Sequence, residues 1–290
     1  MASGMKRRSL SFLVLSLIAL ASARCASVPT SSAPETQEIS SGSASSEHVF
    51  VIMMENKTYD EALRGEYTAL LASRYAVATN YHAVAHPSLP NYLALTSGST
   101  WGITDDSYHT LPSGEYLGSE LTSADIPWRV YMEDMSYGCF DSPYPYALKH
   151  NPFAFYGGQC PSNVVDLSQL DADLSGETPN FVWITPNLCN DGRDCSVSTS
   201  DQWLAEVVPK IIDSAAWQED GVLFIVWDED DEKPGTNQVA LIVVASNLKN
   251  HQTEAYYDHY SLLATVEDRL GVKRLGEAEK AQAIEDLFQS

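Results

Sequence analysis

Basic residues are scarce in this chain: 17 Lys and Arg stand against 39 Asp and Glu in 290 residues, a formal charge of −22. Such a field excludes a nucleic-acid binder that tracks phosphates and opposes steering toward an anionic membrane surface. A phosphate-ester ligand would have to be held by local groups or by a cation. Cysteine is scarce too, with five residues, and no two of them show the Cys-x-x-Cys spacing of a structural zinc site. No internal repeat is visible. The N-terminal apolar run, residues 10–20, is shorter than the roughly 20 residues that span a bilayer.

What is present reads as an exported enzyme-sized domain. Lys6, Arg7 and Arg8 precede the apolar run, and Ala21-Ser22-Ala23 supplies the small residues of a signal-peptidase site, so residues 1–23 are expected to be a signal peptide. Cys25 raises lipidation, but Arg24 before it suits such a site poorly. Residues 24–46, rich in Ser, Thr, Pro and Ala, are expected to be a disordered linker. Residues 47–290, in a chain that is 44% hydrophobic, suffice for one catalytic domain, expected to be a secreted monomer without stable membrane insertion. In an oxidising compartment Cys139, Cys160, Cys189 and Cys195 form an even set with three possible pairings, and sequence proximity favours 139 with 160 and 189 with 195.

Two apolar runs, residues 49–54 (VFVIMM) and 222–227 (VLFIVW), end abruptly at acids: Glu55-Asn56 and Asp228-Glu229-Asp230-Asp231. Continuous runs of this kind predict strands buried on both faces of a parallel sheet, whose ligand sites lie outside the carboxyl ends. Carboxylates at two such ends point to a metal site. Residues 181–184 and 239–245 read as further strands, and 128–132 as a weaker one. Helical periodicity covers 59–74, 89–96, 201–215, where Pro209 threatens a kink, and 261–270 before Gly271. The alternation predicts an α/β fold with a doubly wound, mostly parallel sheet. Residues 101–174, rich in Gly, Pro, Tyr and Ser, are expected to form an irregular cap.

Ser88, in HAVAHPSLPNY, stands directly before a helical run, where backbone N–H groups and the helix dipole favour negative charge. A serine there caps the helix or attacks an ester, and the nearby His82 and His86 favour the second role.

The segments MMENKTYDE (53–61), HPSLPNYLALTSG (86–98), KHNPF (149–153), ITPNLCNDGRDCSVSTSDQWL (184–204), VWDEDD (226–231) and HYSLLATVEDRLG (259–271) resemble the phosphoesterase family of bacterial acid phosphatases and phospholipases C. The short secreted acid phosphatases, including those acting on phosphoinositides, are the most similar in overall look. The resemblance runs in order from about residue 49 to 271 and implies an alkaline-phosphatase-like sheet. It further implies a metal site at Glu55, Asn56, Asp228 and Glu229, a nucleophile at Ser88, and an active-site histidine at His150 that binds phosphate or protonates the leaving alcohol. Asn56, His86 and Asp194 become candidate substrate contacts. All-oxygen ligation suits one divalent ion, Mg²⁺, Ca²⁺ or Mn²⁺ rather than Zn²⁺. His259 is expected to make a structural hydrogen bond.

One departure stands out. Where relatives read Asp-x-His-Asp, this chain has Asp191-Gly192-Arg193-Asp194. Arginine grips phosphate through parallel hydrogen bonds but releases no proton at working pH, so Arg193 implies an altered rate or substrate preference. The expected function is a secreted, metal-dependent phosphomonoesterase acting through a phosphoserine on a small-molecule or lipid head-group phosphate ester. A phospholipase C-type phosphodiesterase is the first alternative, and a catalytically impaired phosphate-binding protein the second.

Overall fold

The computed structural model describes residues 47–231 and 235–288. The proposed signal peptide, the linker and Cys25 lie outside the described residues. The elements run β1 (His48–Met54), α1 (Tyr59–Ala62), α2 (Glu66–Arg74), β2 (Ala76–His82), α3 (Ser88–Ser97), α4 (Leu117–Ser123), β3 (Trp128–Met132), β4 (Val164–Asp166), α5 (Leu170–Ser175), β5 (Phe181–Thr185), α6 (Val197–Ile212), α7 (Ala215–Asp220), β6 (Gly221–Trp227), β7 (Gln238–Ala245), β8 (His251–Thr253), β9 (Tyr257–Asp258) and α8 (His259–Leu270). They build one sheet in the order β4-β3-β5-β1-β6-β7-β2-β8, with β9 pairing β2. Among the described residues only β7 runs antiparallel to its neighbours β6 and β2, so the sheet is mostly parallel, in the doubly wound α/β class expected. Among the described residues no helix is long and apolar enough to cross a membrane.

The two strands that end in acids lie side by side at the centre. Residues of β1 pair in parallel with β6 from His48 opposite Gly221 to Met54 opposite Trp227, and β1 pairs on its other edge with β5. Val49 through Met54 and Val222 through Trp227 are all buried, because helices cover both faces of a parallel sheet and leave no polar side. The Asp228 N–H donates to Met54 O at 3.0 Å, extending the ladder to the point where the acids begin.

Helix α3 sets the position of Ser88. All ten of its residues are buried, and it packs on α8. At its C-terminal end Gly98 adopts φ +66 and its carbonyl accepts the Glu277 N–H at 2.8 Å. A Cβ on Gly98 would lie 2.0 Å from Leu275 O, and one on Gly276 would lie 2.4 Å from Gly98 O, so two backbones meet there with no room for a side chain.

Three expectations are modified. The helical pattern at 59–74 is interrupted: α1 ends before Gly65 and α2 begins after it, because the carboxylate of Asp201 on α6 accepts the N–H groups of Tyr67 (2.9 Å) and Thr68 (2.8 Å) and so caps a new helix. A Cβ on Gly65 would lie 2.3 Å from Asp201 Oδ1. The helix expected at 201–215 starts earlier, at Val197, continues through Pro209 and ends at Ile212, with α7 following. The region 101–174 is only partly irregular, since it contains α4, β3, β4 and α5. Its segment between β3 and β4 carries two short 3₁₀ turns, Leu148–His150 and Pro152–Ala154, and Cys139 is bonded to Cys160 across it. The second disulfide, Cys189 to Cys195, closes the loop between β5 and α6. Both pairings are those favoured by sequence proximity.

Candidate active site

Strand ends, one helix start and one disulfide-closed loop converge on a single cluster. Glu55 and Asn56 leave β1, Asp228 and Glu229 leave β6, and the adjacency of these strands joins them directly. The Asn56 N–H donates to Asp228 Oδ1 at 3.1 Å, and Asn56 Nδ2 donates to Glu229 Oε1 at 3.0 Å. Asn56 takes φ +44, a left-handed backbone conformation that asparagine tolerates better than most residues.

Ser88, the first residue of α3, points into this group. Its Oγ lies 3.1 Å from Glu55 Oε2 and 3.0 Å from Glu229 Oε1, and it accepts from Arg193 Nη1 at 3.1 Å. One turn along the helix, the Tyr92 hydroxyl donates to Glu55 Oε1 at 2.6 Å. Spacing of four residues puts both hydroxyls on one helix face, so the sequence carried this signal although only Ser88 was read from it.

The loop 189–195 brings Arg193 across the serine. Arg193 Nη1 donates to Asn56 Oδ1 at 2.7 Å and lies 3.5 Å from Glu55 Oε2. The loop backbone is held at several points. The Arg193 N–H donates to Asp191 Oδ1 (2.7 Å), Lys57 Nζ to Gly192 O (2.6 Å), and the Glu55 N–H to Asp191 O (2.9 Å).

His86, with 38% of its side chain exposed, contacts Glu229 Oε2 through Nδ1 and lies 3.5 Å from Asp230 Oδ1 through Nε2. His150 is placed differently. It is 1% exposed, stacks on the Tyr92 ring at 5.1 Å, and has its nitrogens 3.0 Å from Glu55 Oε1 and 3.3 Å from Asp191 Oδ2. Neither contact is aligned as a hydrogen bond. Asp191, beyond the residues named from the sequence as site candidates, is thus drawn in, while Asp194 is exposed and, among the described residues, no hydrogen bond or ion pair joins its carboxylate to the cluster. His259 bonds to the Tyr81 hydroxyl (2.8 Å) and to Asp228 O (2.6 Å), holding the backbone just past the end of β6. His82 sits apart, contacting Thr236 O and Asn80.

Burial dominates the electrostatics. It raises Asp228 well above the usual carboxylate range, with Glu55 and Glu229 adding to the effect, and it raises Glu55 and Glu229 themselves. It pushes Asp191 up to about 8 and His150 down to about 4. For Arg193 burial acts downward but is outweighed by the carboxylates of Glu55, Asp106, Asp228 and Glu229, so the guanidinium is held charged. This is a site crowded with acids and short of positive charge. Asp228 Oδ2 is buried without a hydrogen-bond partner. Glu55, His150 and Asp191 form a buried group that could hold a metal ion, their ligand atoms within 4.8 Å of one another.

A model of the Phosphoesterase family matches residues 61–273. The chain belongs to the Phosphoesterase family. Within this family's wider company, a phosphatidylinositol-3-phosphatase of Mycobacterium tuberculosis is 30% identical over 254 residues, covering 83% of this chain and 82% of that protein. A probable acid phosphatase of Kluyveromyces lactis is 30% identical over 267 residues and an acid phosphatase of Aspergillus fumigatus 27% over 247, covering 84% and 78% of this chain. The phosphoesterase chain spans 63% and 55% of the lengths of these two fungal proteins. Among solved structures, a protein of the alkaline phosphatase superfamily from Vibrio parahaemolyticus superposes with a TM-score of 0.59 at 12% identity, covering 84% of this chain and 73% of that one. The lipoteichoic acid synthase LtaP of Listeria monocytogenes gives 0.57 at 11%, covering 84% and 76%. These likenesses establish the alkaline-phosphatase type of sheet.

Proposed function

We propose that this phosphoesterase is an exported, metal-dependent phosphomonoesterase that uses Ser88 as its nucleophile. The observation that carries the reading is the position of Ser88 Oγ: at the start of α3, within about 3 Å of two carboxylates and a guanidinium. The proposed cation ligands are Glu55, Asn56, Asp228 and Glu229, beside Ser88. Their oxygens fit a hard divalent ion, and the orphaned Asp228 Oδ2 and the raised acids of the cluster are what such an ion relieves. The Glu55, His150, Asp191 group is less suited to catalysis because it omits the serine. A bound divalent ion supplies positive charge that makes the serine hydroxyl easier to deprotonate and offsets the phosphoryl oxygens.

In the proposed reaction Ser88 Oγ attacks phosphorus while its proton passes to the Glu55 or Glu229 carboxylate. The bond from phosphorus to the substrate alcohol breaks, and the alcohol takes up a proton. His86 is assigned this donation, because it is the exposed imidazole of the cluster, whereas both nitrogens of His150 are buried. Water then attacks the phosphoserine, giving its proton to His86, and inorganic phosphate leaves as Ser88 Oγ takes back the proton held by the carboxylate. The N-terminus of α3 and Arg193 support the phosphoryl oxygens. The mycobacterial relative supports a phosphoinositide as substrate, and the two disulfides support an oxidising compartment.

Purified protein is assayed with p-nitrophenyl phosphate and with phosphatidylinositol 3-phosphate, with and without chelator, and phosphate label is trapped at acidic pH. Turnover that chelator abolishes, with label on the wild type and none on Ser88→Ala, is expected. Label of equal amount on Ser88→Ala would overturn the assignment of the nucleophile.

A further inference from the structure

Ser88 has no exposed surface, and Arg193, whose side chain is 28% exposed, contacts its Oγ. The guanidinium nitrogen stands on the nucleophile candidate itself, donating to Oγ at 3.1 Å. The same nitrogen lies 2.7 Å from Asn56 Oδ1 and 3.5 Å from Glu55 Oε2. It therefore occupies the common ground of three oxygens that border the proposed cation site. An ion held at about 2.0 to 2.6 Å by these oxygens would stand next to a guanidinium of like charge. The two cations would compete for the same oxygens.

The backbone of Arg193 has little room to yield. The Cys189 to Cys195 disulfide closes its loop, and the bonds from Lys57 to Gly192 O, from Arg193 N to Asp191 Oδ1 and from Asp194 N to Leu188 O (2.8 Å) pin it from three sides. The side chain alone, with its several rotatable bonds, can swing.

We propose that Arg193 is a tethered cation that competes with the divalent ion for the oxygens of Glu55, Asn56 and Ser88, capping the nucleophile until ion binding frees the guanidinium for the incoming phosphate ester. This rests on the metal-dependent reading above. It makes Arg193 a gate as well as an anion clamp, a part that an imidazole, shorter and able to lose its charge, would not play in the same way.

The test is calorimetric titration of Mg²⁺, Ca²⁺ and Mn²⁺ into the full chain at fixed ionic strength, for the wild type, Arg193→Met and Arg193→Gln, with Asp228→Asn as the ligand-deficient control. Removing a unit charge from contact distance is expected to tighten cation binding about tenfold or more in both Arg193 variants, and at saturating cation to raise KM for p-nitrophenyl phosphate. General damage to the fold would weaken binding, so the direction of the change separates competition from a structural role. Equal or weaker affinity in the folded Arg193 variants overturns the proposal and leaves the metal-dependent reading standing. Absence of binding in the wild type and in every variant removes that reading, and the proposal with it.

Discussion

Replacing Glu267 with glutamine should make the fold more stable in alkali and flatten its response to pH. Glu267 lies on α8, fully buried; Oε1 accepts the Leu275 N–H at 3.0 Å, and Oε2 has no partner. Burial pushes its carboxyl up to about 9, with Arg274 only partly opposing, so the folded protein carries this proton across neutral pH while the unfolded chain loses it near 4.5. Folding takes up a proton between those two values. The contribution of Glu267 is therefore fully present below about pH 4.5 and is lost as pH rises toward 9, at about 1.4 kcal/mol per pH unit for one proton. Glutamine keeps the acceptor for Leu275 and never ionises. Urea unfolding of both proteins at intervals from pH 5 to 9 measures the difference: Glu267→Gln should gain on the wild type steadily with pH, by about 4 kcal/mol between pH 5 and pH 8. Parallel curves across that range would show that Glu267 is already ionised in the folded state and refute the reasoning.

Two further changes address the supports of the site and of α2. Tyr92→Phe removes the 2.6 Å bond to buried Glu55 and should cost about 2 kcal/mol in urea unfolding, the usual scale for a bond to a charged partner; an unchanged midpoint would mean that Glu55 draws nothing from the phenol. Asp201→Ala uncaps α2 by removing the acceptor of Tyr67 and Thr68 and should cost about 1 kcal/mol, read as faster amide exchange confined to the first turn of that helix.

The centre of the fold was legible because a strand buried on both faces must be apolar throughout, and 49–54 and 222–227 are. The acids that follow stand out by contrast, and the register of β1 on β6 then brings Asn56 against Asp228 and Glu229. Strand β2 was not read. Its sequence, AVATNYH, breaks the apolar run with Thr79 and Asn80 where the pairing with β7 shifts register, so neither a continuous nor an alternating pattern survives. The interruption at Gly65 depends on Asp201, more than 130 positions away, and no local pattern reports a cap that arrives from another helix. The depth of His150 was equally hidden. KHNPF reads as a loop, and only the stacking on Tyr92 and the closeness of Glu55 and Asp191 reveal that its imidazole is walled in. Arg193 was visible as a departure from the family pattern, but its reach to Ser88 belongs to the geometry of the loop that carries it.

The tight meeting of Gly98 and Gly276 gives Ser88, the proposed nucleophile, a mechanical datum. Helix α3 is ten residues long, about 15 Å at the usual rise, with Ser88 at its front and this contact at its rear. A helix is stiff along its axis, so its front end can be no better located than the surface its back end rests against. Here that surface is bare peptide, supplied by the turn after α8 and held in turn by Glu267. The placement of the Ser88 oxygen consequently depends on residues at the opposite end of the helix. A methyl group added at either glycine would be felt at the far end of the rod as a misplaced oxygen, in a site whose three contacts to that oxygen span only 3.0 to 3.1 Å.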